Sequence, residues 1–424
     1  MNIIAQLIFR LRNPSFKAKL RELQDVYSLN SAGIESFQSE KFKDLIQHFA
    51  KNHKSFETQL RKNKIDPSNI QLSDLRRLPI TSKEDLVERF SELNLAHLFS
   101  RVYKAKTSGS TGVGFTFYKN EEWDSFVRAS REYFLNQNGQ TSFSKSVYFW
   151  GFSFGLRKRI LTRFVDFVLN RKRFFSYKVI DSERFLRTLR KSNVLIGYSS
   201  MVNSAAEFVI ERDFKIEMDA VISTSERILP SHYVNVQKAF GTKLLNEYGA
   251  AETGIIAFSC PYDLMHINEA GVIVELDENG EILVTNLYAK SIPIIRYKLG
   301  DYVTMETLDE PCKCGRTGRY ISDIMGRVGS TIIGKMGKYP SLTLYYVFKS
   351  FYESRDIYLT YTATQDTIGK LIVYLKSELN TSDHALLLKL FGAYFANDVE
   401  VDLVIDPMKF KISKKRQDFI SKMS

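Results

Sequence analysis

Hydrophobic and polar positions divide this chain into stretches of different period. Up to about residue 100, apolar residues recur every three to four positions over 39–53, 55–62 and 82–93, which predicts helices. Thr81-Ser82-Lys83-Glu84-Asp85 reads as a helix start, a hydroxyl cap followed by acids in the first turn. From about 145 to 260 the pattern alternates. Short apolar runs at 146–149, 194–197, 220–224 and 243–246 predict strands, and amphipathic runs at 184–190, 201–212 and 231–240 predict helices. That alternation predicts an α/β fold with a mostly parallel sheet. Between 265 and 305, strands at 272–275, 281–285 and 302–306 with intervening turns predict a small β-subdomain. Beyond 326, strands at 331–333, 358–363, 370–375 and 400–404 with helices at 342–351 and 382–395 predict a compact α+β module. The expected division is therefore a helical portion over 1–100, a core with the β-subdomain over 101–326 and a terminal module over 327–424.

Length and charge narrow the picture. A chain of 424 residues exceeds one ordinary core, and 44% hydrophobic with 25% charged residues is the composition of a folded protein. No apolar run approaches the roughly 18–20 residues of a membrane span. Ile3, Ile4, Leu7, Ile8 and Leu11 fall at helical spacing ahead of Lys17 and Lys19, interrupted by Arg10 and Arg12. This is the pattern of a docked amphipathic helix, compatible also with peripheral association with an anionic membrane, and not of a secretory leader. The formal net charge is +12, with basic clusters at 171–175 and 409–416. No nucleic-acid-binding signature accompanies them, so polyanionic small molecules are the expected partners, not nucleic acid. Three cysteines in such a length argue for a reducing, cytoplasmic compartment.

Several segments carry chemistry. Lys106-Thr107-Ser108-Gly109-Ser110-Thr111-Gly112 follows an apolar-alternating segment and has no large side chain after its lysine. Such a loop brings backbone N–H groups and hydroxyls close to a polyphosphate. Asn246-Glu247-Tyr248-Gly249-Ala250-Ala251-Glu252 follows a predicted buried strand. A tyrosine beside a glycine can stack on a flat base there, and the carboxylate three residues on from Gly249 can hold Mg²⁺. Asp301, after Gly300, can accept two ribose hydroxyls, and Gly326-Arg327-Val328-Gly329 reads as a hinge. Gly329 to Met336 imitates a Walker A spacing but ends in Met and begins a strand, so it carries no phosphate role. Cys260, His266, Cys312 and Cys314 use every cysteine of the chain and offer a Cys₃His set suited to structural, tetrahedral Zn²⁺. A cation from the basic stretch 409–416 can stabilise charge on a phosphate. Tyr148-Phe149-Trp150-Gly151-Phe152 and Tyr198 either line a pocket or belong to the core.

In this order the segments resemble the adenylate-forming superfamily, and more narrowly the phenylacetate–CoA ligase group with its CapK-like branch of capsular polysaccharide biosynthesis. Thr107–Gly112, 195–198, 221–226, Glu247-Tyr-Gly-Ala-Ala-Glu252, Cys260, 266–268, 284–287, 295–297, Gly300-Asp301, Cys312-Lys-Cys-Gly-Arg316 and Gly326-Arg327 carry the resemblance. It implies a large adenylating domain and a small mobile lid domain. It implies that a carboxylic acid is activated with ATP as acyl-AMP, releasing pyrophosphate. The acyl group then passes to CoA or to a sugar, amine or hydroxyl acceptor, at or near the inner face of the membrane. Ser108, Gly109, Ser110, Thr111 and Gly112 would hold the phosphates. Tyr248 and Gly249 would border the adenine and the acyl carboxylate, Asp301 the ribose, and Glu252 would bind Mg²⁺. Arg316 and Arg327 join the nucleotide set, with Arg327 at the hinge. The catalytic lysine falls on Lys415, with Lys414 as the alternative. The zinc set is also a feature of the branch. The chain departs from the pattern at Val113-Gly114, Ala251, Gly329 and Lys414. Those departures keep open an alternative, a degenerate ATP- or polyanion-binding protein on the same fold.

Overall fold

Uninterrupted apolar runs build the parallel half of the central sheet. In this computed structural model, which describes residues 11–107, 115–149, 156–174, 180, 182–327, 331–410 and 418–421, strands β3 (Ser146–Phe149), β5 (Val194–Tyr198) and β6 (Ala220–Thr224) are buried at every position. Strands sandwiched on both faces need apolar side chains on both. β4 (Arg171–Phe174), β3, β5, β6 and β7 (Leu244–Ala250) run parallel in that order. The helices α8 (Glu183–Leu189), α9 (Ser199–Glu211) and α10 (Pro230–Phe240) make the crossovers and share one core with the sheet, around Phe149, Phe185, Met201 and Phe240.

The β-subdomain is continuous with this sheet. β7 turns antiparallel into β8 (Gly254–Ser259), and the sheet continues through β9 (Met265–Ile267), β13 (Arg319–Arg327), β12 (Tyr297–Thr307), β11 (Glu281–Asn286) and β10 (Val272–Leu276). The result is one mixed sheet of 11 strands, parallel at one end and antiparallel at the other. An edge hairpin of β1 (Val102–Lys106) and β2 (Thr116–Asn120) stands apart from it.

The N-terminal helices α1 (Phe16–Val26), α2 (Ser31–Asn52) and α3 (Lys54–Lys62) do not pack on one another alone. Leu23, Phe42 and Phe49 share a core with Trp123, Tyr288 and Ile294 from much later in the chain. Polar bonds seal the contact: Tyr27 Oη donates to Asn268 at 2.7 Å, and Gln38 Nε2 donates to the carbonyls of Glu269 and Val272. Two short helices, α4 (Lys83–Glu88) and α5 (Phe90–Leu93), replace the single helix expected over 82–93. α4 starts where expected, with Ser82 and Asp85 capping each other reciprocally. Helix α6 (Glu121–Gln137) precedes β3 in the chain, and α7 (Leu156–Val168) connects β3 to β4.

From 331 a second sheet forms, of β18 (Glu400–Ile405), β17 (Lys370–Leu375), β16 (Tyr361–Thr367) and β19 (Phe419–Ser421), beside the short hairpin β14 (Thr331–Ile333) and β15 (Lys338–Pro340). With α11 (Leu342–Arg355) and α12 (Thr381–Tyr394) it encloses its own core, around Phe351, Phe391 and Phe395. This unit touches the main sheet through polar groups. The Tyr345 hydroxyl donates to Asp323 of β13, Lys376 pairs with Glu207, and the Arg227 guanidinium lies 4.4 Å from the Tyr345 ring centroid.

Candidate functional site

Ligand sites in α/β sheets form beyond the carboxyl ends of parallel strands. β7 ends there as Glu247-Tyr248-Gly249-Ala250. β12 is four strands away in the sheet order, yet Tyr248 Oη donates a buried 2.8 Å hydrogen bond to Asp301 Oδ2 on it. Asp301 is paired in register with Arg327, the last residue of β13. Three of the expected nucleotide positions, separated by up to 79 residues of chain, thus meet at one place. Gly249 is required by close approach. A Cβ there would lie 2.1 Å from the Gly254 carbonyl oxygen across the β7–β8 pair, at a bulge in the register. Gly249→Ala is accordingly expected to cost about 1–3 kcal/mol of stability by overpacking. A denaturant titration of both proteins measures it, and an unchanged midpoint would contradict the steric reading.

Glu252 follows in the β7–β8 connection, buried at 6% exposure, and accepts a 3.2 Å bond from Tyr297 Oη. One carboxylate oxygen is thus oriented by a neutral donor, an arrangement that leaves a hard oxygen ligand for a divalent cation. Lys119 of β2 belongs to the same neighbourhood. Burial pulls its ammonium pKa down, opposed by the negative charges of Asp124 and Glu252. The β1–β2 hairpin delivers the chain to this point. Thr107 N donates to the Phe115 carbonyl at 2.9 Å, and Phe115 N donates back to Thr107 Oγ1 at 3.1 Å. Ser108, Gly109, Ser110, Thr111 and Gly112 lie outside the described residues, between those two anchors.

Two pairs at the site escaped sequence reasoning. Arg131 of α6 grips Glu247 with two nitrogens, Nε at 2.7 Å and Nη2, so Glu247 is committed to a structural ion pair. Glu226 accepts from Ser200 N and Oγ at 2.9 and 2.6 Å, joining the mouth of β6 to the start of α9. Nothing local in the sequence announces either one. The aromatic run is resolved in part: Phe149 is fully buried against Phe174 and Phe185, and Tyr148 lies beneath the guanidinium groups of Arg171 and Arg173. Both are core. Trp150 and Phe152 lie outside the described residues, as do Lys414, Lys415 and Gly329. The near flank of the lysine segment is placed, however: Asp418 Oδ2 stands 4.0 Å from Arg227 Nη1, just past the end of β6.

A second constellation lies at the antiparallel end. Cys260 follows β8, His266 is on β9, and Cys312 and Cys314 sit in the loop between β12 and β13. Their ligand atoms all lie within 4.8 Å of one another. Cys260 Sγ is 3.8 Å from Cys312 Sγ, and Cys314 Sγ is 3.3 Å from His266 Nε2. With Zn–S near 2.3 Å and Zn–N near 2.0–2.1 Å, tetrahedral edges are about 3.8 and 3.5 Å, so the donor set fits that ion. The turn that presents the last two cysteines uses Gly315 at φ 86°, with Gly315 N donating to the Cys312 carbonyl at 2.7 Å. Without a metal the pocket favours neutral groups. Burial, then the nearby Arg316, pulls His266 down to about 3, and burial is the main influence pushing Cys314 up to about 12.

Arg316, expected among the nucleotide ligands, is seated in this cysteine corner instead. It is 3% exposed, its Nη2 donates to the Ile267 carbonyl at 2.7 Å, and its guanidinium lies 4.0 Å from the Tyr27 ring centroid. Nε and Nη1 are buried without a hydrogen-bond partner among the described residues, as is His266 Nδ1. Arg316 is close enough to His266 to disfavour its protonation, and three thiolates about a divalent ion would leave one net negative charge for it to offset.

No protein-family model matches the chain. Protein CapK of Staphylococcus aureus is 24% identical over 323 residues, covering 73% of this chain and 69% of CapK. Among solved structures, 2-hydroxyisobutyryl-CoA ligase in the postadenylation state in complex with R3-HIB-AMP superposes with a TM-score of 0.66 at 16% identity, covering 94% of this chain and 91% of the ligase. An open conformation of that ligase, in complex with 2-HIB-AMP and CoA, gives 0.59 at 15% identity and covers 93% of each chain. The fold is shared over nearly the whole length of each chain.

Proposed function

We propose that this chain, a CapK-like protein with the fold of the adenylate-forming superfamily, activates a carboxylic acid as its acyl-AMP and passes the acyl group to a second substrate. The observation that carries the reading is the convergence at the end of β7. Tyr248 is bonded to Asp301 at 2.8 Å, Gly249 has no side chain, and Glu252 is oriented by Tyr297 close by. In this reading a flat base lies beside Tyr248, a ribose on Asp301 and a cation-bound phosphate at Glu252. CapK, aligned over most of this chain, and a ligase solved with acyl-AMP and CoA support the same reading.

In the proposed reaction the carboxylate attacks the α-phosphorus in line, the bond to the β-phosphate oxygen breaks, and pyrophosphate leaves. Catalysis of such a step rests on positioning and charge stabilisation. Ser108 to Gly112 hold the leaving phosphates, with Ser110 and Thr111 supplying hydroxyls. Glu252 is the residue that would hold Mg²⁺, which supplies neutralisation of phosphate charge when bound. Lys415 reaches the α-phosphate from the small domain, and Arg327 with Gly329 forms the hinge that withdraws it. The Cys₃His set would hold Zn²⁺ in a structural role. The acceptor is CoA, or a sugar or amine in cell-surface polysaccharide assembly at the cytoplasmic face of the membrane.

The test is ATP–pyrophosphate exchange by purified protein with Mg²⁺, across aromatic, fatty, amino and sugar acids. Acid-dependent exchange establishes adenylation and names the acid class. ATP binding by calorimetry with no exchange for any acid would favour the degenerate binding protein, a reading that Ala251 and Gly329 make worth separating. Absence of ATP binding would end the adenylation reading.

A further inference from the structure

The strongest unassigned surface is the outer face of α7 (Leu156–Val168) at the β4 edge of the sheet. Phe167 is 79% exposed, Phe164 56% and Val165 38%, although the same helix end buries Val168 and Asp166. Two phenylalanines three residues apart lie on one helical face. Singly exposed apolar residues need no explanation, but adjacent large ones on one face mark an interaction site.

Charge identifies the occupant. Between 156 and 173 the sequence holds seven Lys or Arg residues and a single acid, Asp166. That acid points inward. It is 5% exposed and bound by Arg171 Nε at 2.7 Å and by Arg173 Nε and Nη2, both at 3.0 Å. Arg163, next to Phe164 in the helix, is exposed, and so is Lys172 on the edge strand β4. The only negative charge of the segment is therefore spent inside the fold, and the surface presented outward is apolar and positive. A second copy of this chain would set two such basic faces against each other, which like-charge repulsion disfavours. An anionic lipid surface matches both properties at once: headgroups for the cations, the acyl boundary for the phenylalanines.

We propose that the α7 face docks this protein peripherally on anionic membranes, with Phe164 and Phe167 inserted at the interface and Arg163 and Lys172 on the headgroups. No helix among the described residues is long and apolar enough to cross a membrane, so the attachment lies in the plane of the surface.

The experiment is co-sedimentation of the full chain with vesicles of phosphatidylcholine containing phosphatidylglycerol, and with phosphatidylcholine alone. Binding to the anionic vesicles only, weakened by salt, is expected. The doubly substituted Phe164→Ser/Phe167→Ser protein is expected to lose on the order of tenfold in partitioning per residue. Arg163→Glu/Lys172→Glu should lose binding at low salt as well. Both pairs are exposed, and circular dichroism with a thermal melt confirms that each variant is folded. Binding that survives both pairs of substitutions places the contact elsewhere and overturns the proposal. So does a wild-type dimer that the phenylalanine variant dissociates, which gives the face to a second copy. Retention of single-stranded RNA with no retention on vesicles would overturn it in favour of nucleic acid.

Discussion

Lys415→Ala is expected to slow acyl-adenylate formation by on the order of 10²–10³-fold, the effect of losing one donor aimed at a developing oxyanion. Acyl transfer from a supplied acyl-adenylate should keep most of its rate. The asymmetry would follow from the proposed mechanism, in which the lysine is delivered to the α-phosphate for one half-reaction and withdrawn for the other. The small domain is tied to the main sheet by a few polar contacts, Tyr345 to Asp323, Lys376 to Glu207 and Asp418 to Arg227, and not by a shared apolar core. Contacts of that kind exchange easily with water. Pyrophosphate exchange reads the first half-reaction, and consumption of a pre-formed acyl-adenylate by the acceptor reads the second. Lys414→Ala is the matched control. Equal losses in both half-reactions would assign Lys415 a structural role, and a large loss in Lys414→Ala alone would move the assignment by one residue.

The second large effect concerns the cysteine corner. Cys260→Ser and Cys312→Ser are each expected to leave the protein with less than one equivalent of zinc and to lower its stability by several kcal/mol, because metal-binding free energy at a structural site is folding free energy. Elemental analysis and thermal denaturation with and without a chelator measure both. Wild-type protein that carries no zinc and melts identically with chelator would refute the assignment. Arg316→Met separates the charge argument from the ligand argument. Removing the cation should weaken zinc retention against a competing chelator by about 10–100-fold, the usual cost of losing a group that supports the ligands. The metal-free protein should be no less stable, since a buried guanidinium with two unpaired nitrogens is relieved. A merely structural arginine would destabilise both forms alike.

What the sequence discloses depends on how local the physics is. β5 and β6 are legible because strands buried on both faces must be apolar throughout. β4 is hidden for the opposite reason: Arg171, Lys172 and Arg173 look like surface, yet two of them are held by Asp166 and covered over Tyr148. β13 is not legible, because its pairing with β12 is broken by two register shifts and its other partner, β9, comes from much earlier in the chain. The convergence of Cys260, His266, Cys312 and Cys314 is legible because cysteine is scarce and its chemistry narrow. Arg316 misleads because a motif fixes its neighbours in sequence, whereas its position depends on Tyr27 and Ile267. Glu252 with Tyr297, and Arg131 with Glu247, are 45 and 116 residues apart and carry no local signal.

The shared core of the N-terminal helices sets the timetable of synthesis. Tyr27 finds Asn268 only after 241 further residues have been added. At about 5–20 residues per second, that is an interval on the order of tens of seconds. Throughout it, the core around Leu23, Phe42 and Phe49 is incomplete, since Tyr288 and Ile294 are not yet made. These helices are therefore made long before their core is finished, and the nascent chain is a natural client for holding chaperones.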